Sequence, residues 1–66
     1  MINHIKIERS KNDLTQQDLA DRVGVSRQTI NAIEKNKFNP STLLALKIAK
    51  VFSVSVNDIF FLEQDD

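Results

Sequence analysis

The sequence has no cysteine, one histidine, one glycine and one proline in 66 residues. Without cysteine there is no disulfide framework and no thiolate zinc site. With His4 as the only histidine, a multi-histidine metal site is excluded as well. No metal and no cofactor are expected. No apolar run approaches the ~20 residues that span a bilayer, and the N-terminus lacks a signal-peptide pattern. The expectation is a soluble cytoplasmic protein with no membrane partner. A single glycine and a single proline leave little room for long loops or tight hairpins.

Titratable residues are not grouped for acid–base or nucleophilic work. His4 stands alone near a terminus. Ser26 has no nearby histidine and is placed as a helix cap. Asp65 and Asp66 sit at the acidic end. An enzyme is therefore not expected, and no catalytic residue is assigned. Asn39-Pro40-Ser41 is no glycosylation acceptor, because proline takes the middle position.

What is present is a short, evenly charged, helix-patterned chain. It reads as one domain over residues 1–66, with Glu63 to Asp66 a frayed acidic tail. A chain this short buries only roughly 60% of its unfolded surface, which leaves room for help from a partner subunit. The formal net charge of zero hides an asymmetry. Residues 1–50 hold all nine basic residues and five acidic ones, giving +4; residues 51–66 hold four acidic residues, giving −4. The body can meet a polyanion while the tail stays away from it.

A cap pattern recurs along the chain. Leu14-Thr15 precedes Asp18-Leu19, Val25-Ser26 precedes Thr29-Ile30, and Val54-Ser55 precedes Asp58-Ile59. Each Ser or Thr can cap a helix, and the apolar residue before it can pack as a hydrophobic staple. Asp at the third helical position favours the helix dipole. These starts predict helix 2 at about 16–23, helix 3 at about 27–35 and helix 5 at about 56–60. Ser41 after Pro40 starts helix 4 at about 42–52. That helix carries Leu43, Leu44, Leu46, Ile48, Val51 and Phe52, and is expected to be the central core helix, with Lys47 and Lys50 in water. Helix 1 is expected from Ile5 to about Lys11. Ile5 and Ile7 cannot both point inward on one helix, since they lie about 200° apart. One of them fits an extended entry segment. Asn12 and Asp13 suit the turn that follows.

The organising stretch is Thr15 to Lys37. Leu19, Ala20 and Val23 make one apolar face, Ile30 and Ile33 another, and Gly24 stops the first helix just before Ser26 starts the second. Helix-turn-helix units are built this way, with the second helix in the major groove of DNA. At about 100° per residue, Gln28, Asn31, Ala32 and Lys35 share a stripe opposite Ile30 and Ile33. Arg27, Gln28 and Thr29 occupy the first turn. Arg can pair with guanine and Gln with adenine, and a Thr methyl can touch a thymine methyl. Gln16 and Gln17 open helix 2, whose N-terminus suits a phosphate. Lys35, Asn36 and Lys37 can grip the backbone on the far side of helix 3, with Asn36 a left-handed helix end.

The run LTQQDLADRVGVSRQTINAIEKNKFNPS, with the later ALKIA and DIF, resembles the phage-repressor-like (Cro/cI, or XRE) helix-turn-helix family, over about residues 5–60. It is especially similar to the small stand-alone members of the cytolysin-repressor kind. The resemblance implies an all-α, five-helix DNA-binding domain, and in such members a short two-stranded antiparallel sheet from the termini. It implies sequence-specific binding of double-stranded DNA by a homodimer, and regulation of transcription, with repression the expected outcome. By position, Gln16 matches the phosphate-binding Gln, Ser26 the cap, and Arg27, Gln28, Thr29 and Asn31 the groove-facing readers. Arg9 and Glu34 match a pair that ties helix 1 to helix 3. Two departures stand out: Glu8 takes a position where many members have Leu, and Ala32 replaces a longer polar residue.

Phe60, Phe61 and Leu62 are too apolar for an exposed tail. They complete the core, pair with residues 2–5, or meet a second subunit. The dimer contact is placed around Val56, Phe60, Phe61 and Leu62, for an inverted-repeat operator. The alternative is a protein-interaction module that binds a toxin or co-regulator and has little DNA affinity.

Overall fold

A computed structural model describes residues 1–64. Its elements run β1 (Ile2–Asn3), α1 (Ile5–Lys11), α2 (Gln16–Val23), α3 (Arg27–Glu34), α4 (Thr42–Val51), α5 (Val56–Ile59) and β2 (Phe60–Phe61). Within the expected tail 63–66, Asp65 and Asp66 lie outside the described residues.

The helices begin where the hydroxyl caps stand. Thr15 accepts from the Asp18 N–H at 3.0 Å, and the Asp18 carboxylate accepts from the Thr15 N–H at 3.0 Å. This reciprocal box satisfies two of the donors that a helix start leaves open. Ser26 and Ser41 cap α3 and α4 through the N–H groups of Thr29 and Leu44, each at 3.1 Å. At α5 the Asp58 carboxylate likewise accepts from the N–H of its cap residue, Ser55, at 3.1 Å, and the Ser55 hydroxyl here donates to that carboxylate at 2.9 Å. The staple residues Leu14, Val25 and Val54 all pack against the core.

The helix ends share one device, although the chain has a single glycine. α1, α2, α3 and α4 are each followed by a left-handed residue: Asp13 (φ 55°), Gly24 (φ 78°), Asn36 (φ 59°) and Ser53 (φ 55°). After each, the next N–H reaches back five residues, as in Leu14 to Arg9 O, Val25 to Ala20 O, Lys37 to Ala32 O and Val54 to Ala49 O. These bonds close orphan carbonyls at the helix ends. Asp and Asn tolerate this conformation better than most residues with a Cβ. The turn after α1 thus takes its left-handed residue from Asp13, while Asn12 keeps a negative φ of −107°.

The core is Ile5, Leu19, Ala20, Val23, Ile30, Ile33, Ile48, Ala49, Phe52, Ile59 and Phe60. α2 packs against both α3 and α4, and α4 against α5. Ile5 is fully buried while Ile7 is 52% exposed, and both sit on α1. The extended entry is instead Ile2–Asn3, which pairs antiparallel with β2 in the register Ile2–Phe61 and Asn3–Phe60.

Two expectations change. α4 is not surrounded, for only Ile48 and Ala49 are buried on it, and Leu43 and Leu46 are 63% and 53% exposed. Its packed face meets α2 and α5, and this few elements cannot cover the opposite side. Phe60 belongs to the monomer core, at 9% exposure, which removes most of its ring from a dimer surface. Phe61 is half-buried, with its ring centroid 4.7 Å from that of His4, whereas Leu62 is 79% exposed.

Candidate nucleic-acid interface

α2 and α3 are joined by Gly24, Val25 and Ser26 alone. Gly24 turns the chain at positive φ, and a Cβ there would meet nothing within 4 Å, so backbone conformation rather than space asks for glycine. The apolar faces of α2 and α3 close on each other through Leu19, Ala20, Val23, Ile30 and Ile33. That fixes the outward face of α3.

Arg27, Gln28 and Lys35 are exposed on α3 or at its end, and Thr29, Asn31 and Ala32 are half-buried. The Thr29 hydroxyl lies 3.0 Å from that of Ser26, which leaves its methyl as the part without a hydrogen-bonding role. Asn36 and Lys37 follow, both exposed, and the Asn36 Oδ1 accepts from Asn3 Nδ2 at 3.2 Å. Gln17 is exposed at the start of α2 and donates to Asp21 Oδ1 at 2.8 Å.

Glu34 is the only acid on α3, and it faces inward to Arg9. The guanidinium donates from Nε to Oε2 at 2.7 Å and from Nη2 to Oε1 at 3.0 Å. The two side chains are 13% and 8% exposed, and Arg9 also donates to Leu14 O at 3.0 Å. Gln16 joins the same cluster, donating from Nε2 to Glu34 Oε1 and to Asn31 Oδ1, both at 3.2 Å. Its side chain is therefore turned along the protein surface toward α3. Its main-chain N–H, with that of Gln17, remains at the helix start, where α-helices leave donors open.

The Asp18 carboxyl is held below the usual carboxylate range. Hydrogen bonds from the Thr15 main chain and then its hydroxyl are the main causes, with help from the Arg22 charge.

Sequence reasoning missed one tie. Asn3 Nδ2 donates to Ile33 O at 2.8 Å as well as to Asn36, and Asn3 Oδ1 accepts from the Ile5 N–H at 3.3 Å. An Asn just ahead of a helix signals the local bond; nothing local signals the link to α3.

This arrangement is that of a helix-turn-helix protein. A family model described as helix-turn-helix matches residues 5–59. The chain belongs to that family, the Cro/cI-type (XRE) helix-turn-helix transcriptional regulators. It is 56% identical over 66 residues to an uncharacterized HTH-type transcriptional regulator of Methanocaldococcus jannaschii, covering 100% of both chains. It is 47% identical to the uncharacterized HTH-type transcriptional regulator YgzD of Bacillus subtilis, again over 100% of both. Among solved structures, the SinR protein/SinI protein complex matches 92% of this chain at 28% identity, with a TM-score of 0.78. The clp gene regulator ClgR of Corynebacterium glutamicum matches 82% at 22% identity, with a TM-score of 0.76, and shows the shared fold. This chain spans 65% and 57% of those two chains, respectively. Among the described residues, no helix is long and apolar enough to cross a membrane.

Proposed function

We propose that the chain is a cytoplasmic, sequence-specific repressor that binds an inverted-repeat operator as a homodimer, with α3 in the major groove. It works as one DNA-binding domain. Arg27, Gln28, Thr29 and Asn31 read base edges. Gln16 and Gln17 at the start of α2, Ser26, and Lys35, Asn36 and Lys37 beyond α3 hold the phosphate backbone. The observation that carries this reading is the charge of α3: its one acid is neutralised by Arg9, so α3 itself sets no unpaired anion beside Arg27, Gln28 and Lys35.

The dimer contact of this reading uses the groove between α4, α5 and the chain ends. It has a volume of about 270 Å³, and its lining includes Met1, Pro40, Ala45, Leu46, Val56 and Leu62. Leu46 and Leu62 are the apolar side chains that a second copy would cover. Phe61 contributes through its pairing with β1, and Phe60 only by the small part of it left exposed.

Sequence selection from a random duplex pool tests the proposal, followed by the salt dependence of the selected duplex. An enriched inverted repeat with half-site centres about 34–36 Å apart, and a steep salt slope, supports it. Failure to enrich any sequence, with salt-insensitive retention, turns the reading to a protein-binding module. That second reading is favoured by one finding, the likeness to a regulator solved together with a second protein.

A further inference from the structure

Four side chains, Arg9, Glu34, Gln16 and Asn31, form a relay in which the direction of each hydrogen bond is forced. Arg9 holds the Glu34 carboxylate from two nitrogens, at 2.7 and 3.0 Å. An ionised carboxylate only accepts hydrogen bonds. Gln16 therefore turns its NH2 group, not its carbonyl, to Glu34 Oε1 at 3.2 Å. That same NH2 group can only donate. Asn31, its other neighbour at 3.2 Å, therefore turns its carbonyl Oδ1 toward Gln16. The amide of Asn31 is thereby set, with its carbonyl committed to the protein and its NH2 group without an acceptor among the described residues. Asn31 lies half-buried on the same stripe of α3 as Gln28 and Lys35.

We propose that this relay makes Asn31 a reader of guanine. An unrestrained Asn suits adenine, accepting from the N6 amino group while donating to N7. That mode needs both amide atoms at the base edge. With its carbonyl turned toward Gln16, Asn31 presents its NH2 donors to the base edge. Guanine presents two acceptors to them, N7 and O6, whereas adenine sets a donor beside its N7. Arg9, Glu34 and Gln16 are positioning residues in this scheme, acting on the base through Asn31. The proposal rests on the reading of α3 as the groove-entering helix.

Sequence selection with the full chain tests it, using the wild type, Asn31→Ala and Gln16→Ala. The position whose preference disappears in Asn31→Ala is the one Asn31 reads. In the wild type that position is expected to be guanine, over adenine by roughly five- to a hundredfold. In Gln16→Ala the amide is released, and the guanine-to-adenine ratio falls by about tenfold or more. A ratio cancels any uniform loss of backbone affinity, and a thermal melt checks that each variant is folded. Adenine or a pyrimidine at the assigned position, no position altered by Asn31→Ala, or an unchanged ratio in folded Gln16→Ala each overturns the relay while the DNA reading stands. No enrichment by the wild type overturns the DNA reading and the relay together.

Discussion

Asn3 and Ile33, 30 positions apart in the sequence, are joined by a hydrogen bond of 2.8 Å from the Asn3 side chain to the Ile33 carbonyl. The bond fastens the terminal sheet to the last turn of α3. Asn3→Ala is expected to cost about 1 kcal/mol, because Ile33 O keeps the Asn36 N–H as a second donor. Urea unfolding measures the loss. Hydrogen exchange should quicken at the end of α3 more than at its start; uniform quickening would show that the bond does not hold that turn.

The Arg9–Glu34 pair predicts strong coupling. Removing either partner alone leaves a charge in a largely buried site, at a cost of roughly 3–5 kcal/mol. Arg9→Met with Glu34→Leu removes both charges, and the double variant should be more stable than either single one. A double-mutant cycle by chemical denaturation checks this, and simple additivity would refute it.

Gly24 predicts a small, conformation-only penalty. Gly24→Ala should destabilise by about 1–2 kcal/mol, the strain of a left-handed residue with a Cβ. Gly24→Asn should lose less, since Asn visits that region more readily. If the bulkier Asn instead costs more than Ala, crowding rather than φ governs the turn, against the open space seen there.

Asp18 predicts an acid limit. Its folded pKa is depressed, so its contribution is present above the ordinary Asp value of about 3.9 and lost as pH falls through the lower folded value. Stability should therefore decline on acidification, and Asp18→Asn should show a shallower decline over the same window. Thermal melts between neutral and strongly acid pH give the comparison, with equal slopes counting against the capping carboxylate.

Under the proposed DNA reading, Gln28 and Lys35 should fail differently. Gln28→Ala should lose about 1–3 kcal/mol of specific binding and keep non-specific binding. Lys35→Ala should weaken all sequences alike and lower the salt slope by about one unit. Titrations of operator and random duplex at several salt concentrations separate the two.

Much of this fold was legible in the sequence because its signals are local. Thr15, Ser26, Ser41 and Ser55 mark four helix starts, and Gly24 marks the turn between α2 and α3. What was not legible depends on partners that sequence does not display. The apolar residues of α4 suggested a central core helix with Lys47 and Lys50 in water, yet Leu43 and Leu46 stay exposed too, where none of the described elements covers them. The left-handed Ser53 carries no composition signal, since Ser is no special former of that conformation. On the candidate interface, helical spacing foretold the exposure of Gln28 and Lys35, while Asn31 and Ala32 on the same stripe are half-buried. The turning of Gln16 toward Asn31 followed from a carboxylate 18 positions away in the chain, beyond any local pattern.

The pairing of β1 with β2 also has a consequence for synthesis. Ile2 and Asn3 leave the ribosome well before their strand partners, Phe61 and Phe60. The helices can form as they emerge. The clasp that seals them must wait until Phe60 and Phe61 have been made, so a nascent chain stalled before Phe60 leaves Ile2 and Asn3 without their strand partners and Ile5 in an unfinished core.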